Sequence, residues 1–100
     1  MPKAYWIARV DVEDGEGVQE TYKRYIDGAA PVFERNGARF LVRGGTMEVM
    51  EGGSRARNVV VEFPSLDAAR TCFNDPDYQA ARDHRTKVSE ADIIIVEGLE

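Results

Sequence analysis

The chain is poor in the residues that most often carry metals, disulfides or proton transfer near neutral pH. Its 100 residues include one cysteine, Cys72, and one histidine, His84. An internal disulfide therefore cannot form, and no group of cysteines and histidines has the spacing of a zinc site. We predict no metal site, and we expect Cys72, which falls near Ala69 and Phe73 in a predicted helix, to be a buried structural thiol.

Long apolar runs and an excess of positive charge are also missing. No stretch approaches the ~20 apolar residues of a membrane span, and the first residues lack the apolar run of a signal peptide. The formal net charge of -5 disfavours nucleic acid and anionic membranes as general partners, because phosphate would be repelled. We therefore expect a cytoplasmic protein with no nucleic-acid or membrane partner. The Gly-Gly pairs at 44–45 and 52–53 are typical of turns, so we expect no nucleotide cofactor, and no other cofactor is predicted.

The chain that remains has the composition and patterning of one folded domain, residues 1–100, with 43% apolar and 31% charged residues. Alternation predicts strands over 4–12, 38–43, 58–63 and 91–97, and helical spacing predicts a helix over 18–33 that is kinked, not stopped, by Pro31. Ser65 is the predicted N-cap of a second helix, which restarts at Asp75-Pro76 and reaches about His84. The two glycines at 44–45 predict a tight turn into a short extended arm over 46–51.

The order of these elements is strand, helix, strand, strand, helix, strand. With short connections and right-handed crossovers it favours an α+β fold of the ferredoxin-like βαββαβ type. The prediction is a four-stranded antiparallel sheet with both helices on one face and the first and third strands at its centre.

The face of the sheet away from the helices is predicted to be mixed, half apolar and half charged. Strand alternation assigns the following to the helix side: Trp6, Ala8, Val10, Phe40, Val42, Val59, Val61, Phe63, Ile94 and Val96. It assigns the following to the side away from the helices, which we call the open face: Tyr5, Ile7, Arg9, Arg39, Leu41, Arg43, Asn58, Val60, Glu62, Ile93, Ile95 and Glu97. So many apolar residues need a cover, and a second copy packing sheet on sheet is the simplest one, so we predict a homodimer.

Four charged residues of the predicted open face would be partly buried in such a dimer. Arg9, Arg43, Glu62 and Glu97 have charges that sum to zero, and each would be costly to bury unpaired. They form either a structural ion-pair network or, with Tyr5, the lining of a small-molecule site. In the second case Arg9 and Arg43 would hold a carboxylate or enolate through forked hydrogen bonds, and Glu62 would be a nearby catalytic base.

Five stretches also resemble a known family. They are YWIARV at 5–10, GARFLVRGG at 37–45 with Glu-Gly at 51–52, RNVVVEFPS at 57–65, DPDYQ at 75–79 and IIVEG at 94–98. Together they resemble a family of small bacterial proteins of unknown function in the dimeric α/β-barrel superfamily. The resemblance implies a ferredoxin-like protomer and a face-to-face dimer, but superfamily relatives range from cofactor-independent monooxygenases and haem-degrading enzymes to lactone isomerases and ligand-sensing domains. The haem-degrading members use an Asn on strand one, and this strand one has none.

His84 is the one side chain whose ordinary pKa lies near neutrality, so it is the second catalytic candidate beside Glu62. Its position at the end of a helix is equally typical of a residue that caps the helix dipole. The sequence thus predicts a homodimeric small-molecule-binding protein. Three functions are compatible with this prediction. The protein is a cofactor-independent enzyme acting on a small carbonyl or aromatic acid, a non-catalytic binding or sensing module, or a purely structural dimer.

Overall fold

The computed structural model describes all residues, 1–100, which form a layer of helices packed on one β-sheet. In chain order its elements are β1 (Ala4–Val12), α1 (Val18–Arg35), β2 (Arg39–Arg43), β3 (Arg57–Phe63), α2 (Leu66–Asn74), α3 (Pro76–Thr86) and β4 (Ser89–Glu97). The strands form one sheet in the order β2-β3-β1-β4, and every neighbouring pair is antiparallel. The predicted ferredoxin-like topology, with β1 and β3 central, is therefore confirmed. None of the three helices is long and apolar enough to cross a membrane.

The predicted helix boundaries follow from local backbone chemistry. The Ser65 hydroxyl accepts a hydrogen bond from the Ala68 amide at 3.1 Å, and the Asp75 carboxylate accepts one from the Asp77 amide at 2.8 Å. Helix α1 continues through Pro31 to Arg35, and Gly37 then takes a φ of 77°, which ends the helix as a left-handed residue. These short-range signals place the start of α2, the start of α3 and the end of α1.

Trp6 lies at the centre of the core between the sheet and the helices. It is 2% exposed, and its ring contacts those of Phe33 and Tyr78 edge-on, with centroids 5.1 and 5.2 Å away. Phe63 and Phe73 complete the aromatic cluster at 6.0 and 5.6 Å. Such offset and edge-on pairs add to the stabilisation that apolar burial already gives, so Trp6 is a core residue, as predicted.

The side chains of β4 face the opposite sides of the sheet from those predicted. Ile93 and Ile95 pack against the core, whereas Ile94 is 59% and Val96 44% exposed on the open face. Residues directly opposite each other in an antiparallel pair share a face, and Ile95 lies opposite the buried Trp6. Because residues 93–96 are all apolar, their alternation alone could not decide which side faces the helices.

A bulge in β2 overturns a second predicted orientation. Phe40 lies opposite Val61, but the pairing then shifts so that Val42 lies opposite Val60 and Arg43 opposite Val59. The extra residue moves Val42 to the open face and Arg43 to the helix side, the reverse of the prediction. Residues 44–56 form no strand between β2 and β3, so the segment of the predicted extended arm, 46–51, is part of the connection and does not join the sheet.

Candidate functional site

The predicted charged network on the open face is only partly assembled. Tyr5 lies opposite Glu62, and Arg9 lies opposite Asn58 and Asp92, so these predicted residues do share the open face. The Glu62 carboxylate is paired with Lys3 at 3.2 Å, and its side chain is only 16% exposed. Arg9 forms no ion pair with Glu62 in the protomer.

Arg43 and Glu97 do not belong to that network, so their predicted placement was wrong. The β2 bulge turns Arg43 toward the helices, where its guanidinium lies 4.6 Å from the Phe40 ring centroid. Glu97 lies opposite Ala4, a buried residue of the helix side, and remains exposed at the end of β4. The four-residue charge balance inferred from alternation therefore does not exist on one face.

His84 is on the opposite side of the sheet from Glu62. It lies in the last turn of α3 and lines a shallow surface groove between α1 and α3 with Arg24, Arg35 and Asp77. The structure thus does not bring the two predicted catalytic residues together.

The open face remains strongly apolar after these corrections. Its apolar side chains are Tyr5, Ile7, Val42, Val60, Ile94 and Val96. Beside Arg9 and Asn58 the residues 47–51 and 53–54 border a wide recess of about 440 Å³, and the Asn58 side-chain amide donates a hydrogen bond to Met47 Sδ at 2.9 Å. An exposed apolar sheet face of this kind marks an interaction surface.

The other side of the sheet contains a partly enclosed cavity of about 110 Å³. One water needs roughly 10–15 Å³, and an apolar cavity of about 150 Å³ can hold benzene, so this space suits a molecule of about one ring. Its wall comes from α1, α3 and all four strands, and 13 of its 16 residues are hydrophobic. They are Trp6, Ala8, Val10, Tyr22, Tyr25, Ile26, Ala29, Ala30, Phe33, Phe40, Val59, Val61 and Ile93.

The remaining three lining residues are all arginines, Arg43, Arg57 and Arg85. Arg85 is 4% exposed, and its guanidinium lies 5.2 Å from the Tyr25 ring centroid. The guanidinium of Arg57 lies over Gly44, where one of its nitrogens would be 2.5 Å from any added Cβ. A side chain at position 44 would therefore displace Arg57, and the φ of 69° there independently favours glycine.

Two tyrosine hydroxyls meet at the helix side of the cavity. Tyr25 Oη and Tyr78 Oη are 3.1 Å apart, one donating to the other. Burial, reinforced by the neighbouring Tyr78, raises the pKa of Tyr25 well above its ordinary value, and burial also raises the pKa of Tyr78. Both phenols are therefore neutral near physiological pH and act as hydrogen-bonding groups, not as bases.

The chemistry available in the cavity follows from this lining. Three guanidinium groups can hold an anion through forked hydrogen bonds, while the rings and aliphatic side chains accept an apolar body. No Asp, Glu or His lines the cavity, so the protein supplies no obvious general base there. The site is better suited to recognising an anion than to removing a proton.

Sequence reasoning missed Arg57 and Arg85, although both have a detectable signal. Arg57 has the same strand parity as Val59 and Val61, which were assigned to the helix side. Arg85 follows the buried Tyr78 and Ala81 at helical spacing and so falls on the buried stripe of α3. Both were overlooked because a charged residue at the end of an element is ordinarily a solvated one.

Comparison with solved structures shows the same fold at low sequence identity. A protein of unknown function from Rhodopseudomonas palustris is 22% identical with a TM-score of 0.73, covering 99% of this chain and 84% of that one. A dimeric ferredoxin-like protein of unknown function from Jannaschia sp. CCS1 is 12% identical with a TM-score of 0.70, covering 96% and 99% of the two chains. SnoaB, a cofactor-independent oxygenase from Streptomyces nogalater, is 13% identical with a TM-score of 0.66, covering 100% and 96%.

A comparison with curated proteins finds no match. A family model, by contrast, matches nearly the whole sequence, residues 3–99. The resemblance to a family of small bacterial proteins of unknown function is confirmed by this match together with the structural neighbours. The chain belongs to the family described as a domain of unknown function, DUF1330.

Proposed function

We propose that this protein binds a small apolar molecule of about one ring in the cavity between α1 and the sheet, with one site in each protomer of a homodimer. The observation that carries the proposal is the cavity itself, whose wall is apolar apart from three arginines. Well-packed cores leave few voids larger than a water molecule. A space of about 110 Å³ beside the central Trp6 therefore favours a ligand site over incomplete packing.

The dimer part of the proposal depends on the open face. Ile94 and Val96 are largely exposed there, and Val42 is 41% exposed on the same face. Sheet-on-sheet packing against a second copy would bury all three, and two structural neighbours are described as dimeric proteins with a ferredoxin-like fold. In that arrangement Tyr5, Arg9 and Glu62 would lie at the interface, and the recess beside Arg9 would be closed by the partner.

Ligand binding can be followed with the protein's own fluorophore. Trp6 is the one tryptophan of the chain and lines the cavity, so an occupant of the site should change its emission. We expect single-ring aromatic compounds such as benzoate and benzamide to change Trp6 fluorescence saturably and to raise the melting temperature, since a ligand that binds only the folded state stabilises it.

A cavity-filling variant provides the matched test. Ala8→Ile adds three carbon atoms at the floor of the cavity and should abolish the fluorescence response while leaving stability unchanged or raised. Ala30→Leu at the rim is a second blocking variant in case Ala8→Ile folds poorly, and Ala80→Leu in the surface groove between α1 and α3, outside the cavity lining, is the control. Unchanged binding in both blocking variants, or no saturable response to any compound, would refute the proposed site.

Catalysis on a bound acid is the second candidate, and it is supported by the structural likeness to a cofactor-independent oxygenase. It is distinguished from binding alone by incubating a confirmed ligand with the protein in air, then following oxygen uptake and loss of the ligand by chromatography. Turnover that disappears in Ala8→Ile would favour the enzyme, whereas recovery of the ligand unchanged would favour a binding or sensing module.

A further inference from the structure

The three arginines of the cavity enter it from the same end of the sheet. Arg43 ends β2, Arg57 begins β3 opposite Val10, and Arg85 lies in the last turn of α3, four residues before β4 begins. Because antiparallel strands alternate in direction, the last residues of β2 and the first residues of β3 and β4 lie at the same end of the sheet. The cavity therefore has a positively charged end and an otherwise apolar wall.

These charges have no acidic partner within the chain. None of the eight ion pairs of the structure includes Arg43, Arg57 or Arg85. The chain has 18 acidic and 13 basic residues, yet the cavity lining contains three arginines and no Asp or Glu. Acidic side chains are thus abundant elsewhere and excluded from this one location.

The hydrogen-bonding capacity of the arginines is also incompletely used. The Nε atoms of Arg57 and Arg85 are both buried and have no hydrogen-bond partner in the protein. Arg85 is the more severe case, since only 4% of the residue is exposed. Buried polar groups are nearly always hydrogen-bonded in native proteins, and buried charges are nearly always paired, so both guanidinium groups lack partners, and the rest of the chain does not supply them.

We infer that the ligand of the cavity is a monocarboxylate whose apolar body is about one ring or a comparable short chain. Its carboxylate binds Arg57 and Arg85, and its apolar body lies toward Trp6. This inference depends on the proposed binding function and adds the chemical class of the ligand. A carboxylate matches the two-pronged donor geometry of a guanidinium, and its charge offsets that of the buried Arg85.

Neighbouring rings hold two of the guanidinium groups in place before any ligand arrives. Arg43 lies over Phe40 at 4.6 Å and Arg85 over Tyr25 at 5.2 Å. Stacking of this kind favours a fixed orientation of a planar cation, which lowers the ordering cost when an anion binds. The neutral hydroxyl of Tyr25 at the same wall is a further donor or acceptor for the bound group.

The test compares ligands of one shape and different charge, with Trp6 fluorescence and isothermal titration as measurements. We expect benzoate to bind at least about tenfold more tightly than benzamide, and benzylamine not to bind detectably, because only the anion forms charge-assisted hydrogen bonds with arginine. Equal affinity for benzoate and benzamide would overturn the inference while leaving the proposed cavity site intact. Failure of all three to bind would instead count against the cavity site itself.

Variants assign the preference to particular arginines. Arg85→Met should remove the preference for benzoate over benzamide while changing benzamide affinity by no more than about twofold. Arg57→Met should reduce the same preference and provides an independent test if Arg85→Met does not fold. The control is Arg24→Met on the exposed side of α1, which should leave both affinities unchanged. A full benzoate preference retained in both Arg85→Met and Arg57→Met would refute the inference.

Discussion

Replacing Arg85 by methionine should make the ligand-free protein more stable. The residue is 4% exposed, its Nε lacks a hydrogen-bond partner, and no carboxylate is paired with it. Burying an unpaired charge costs several kcal/mol even after relaxation, and replacing even a buried ion pair by well-packed hydrophobic residues is often neutral or stabilising by about 1–4 kcal/mol. Methionine retains much of the apolar stem of arginine and so keeps the contacts of α3 with the core.

Favourable interactions of Arg85 with two tyrosines oppose this gain, since Arg85 also lies near the Tyr78 hydroxyl and partly offsets the rise in the pKa of Tyr78. Its guanidinium lies 5.2 Å from the centroid of the Tyr25 ring, and such a contact contributes about 0.5–2 kcal/mol. The hydrogen bond from the Ser89 hydroxyl to the Arg85 carbonyl involves only the backbone of residue 85 and survives the substitution. Subtracting the ring contact, at about 0.5–2 kcal/mol, from a gain of about 1–4 kcal/mol leaves an expected stabilisation centred on about 1 kcal/mol.

The assay is thermal and urea unfolding at a fixed protomer concentration, because the stability of an oligomer depends on concentration. A gain of 1 kcal/mol corresponds to a rise of about 4–8 °C in melting temperature for a domain of this size. Arg24→Met is the control, because Arg24 is exposed and its replacement should change stability by less than about 0.5 kcal/mol. A loss of more than about 1 kcal/mol in Arg85→Met would mean that Arg85 is a satisfied structural residue, and the reasoning would be refuted.

Three further outcomes follow from other parts of the structure. Ile94→Lys places a charge on the open face and should yield monomers in sedimentation velocity. The control is Leu99→Lys, at a 98% exposed position next to the C-terminal residue, and it should sediment like the parent. A dimeric Ile94→Lys would mean that the interface lies elsewhere. The hydrogen bond from Arg35 lowers the pKa of Asp75 from its ordinary value of 3.8, so this pair stabilises the fold above that pH and the contribution disappears as pH falls through the lowered value. Asp75→Asn, which keeps an N-cap, should therefore be less stable than the parent at neutral pH but equal to it in strong acid, and a pH-independent difference in chemical denaturation would contradict the ion-pair explanation. Burial raises the pKa of the Cys72 thiol to about 12. The native protein should therefore not react with Ellman's reagent at mildly alkaline pH, and it should react fully in concentrated guanidinium chloride. Rapid reaction of the native protein would show that α2 opens locally.

Much of the architecture was predictable because it depends on short-range chemistry. Ser65 and Asp75 cap helices through their own side chains, and Gly37 ends α1 with a conformation that glycine adopts without strain. The alternation of β1 over Ala4–Val12 was clear because one of its faces carries polar residues. These signals lie within a few residues of the feature they determine, so one sequence contains them in full.

The candidate site was less predictable because strand orientation is a property of pairing. The apolar run in β4 has the same character on both faces, so its orientation was fixed by register against Trp6 and Ala8. The bulge in β2 has no marker in the local sequence, yet it moved Arg43 from the predicted open-face network into the cavity. The prediction identified Arg43 as a ligand-binding candidate and placed it on the wrong side of the sheet.

The sequence by itself determined the order of the elements, the topology of the sheet and the lack of any cluster of metal-ligating cysteines and histidines. Only the tertiary structure decided that Arg43, Arg57 and Arg85, which are far apart along the chain, meet at one end of an apolar cavity. The physical reason is that local propensities act over a few residues, whereas the side to which a side chain points depends on the register of strands and the packing of helices across the whole domain.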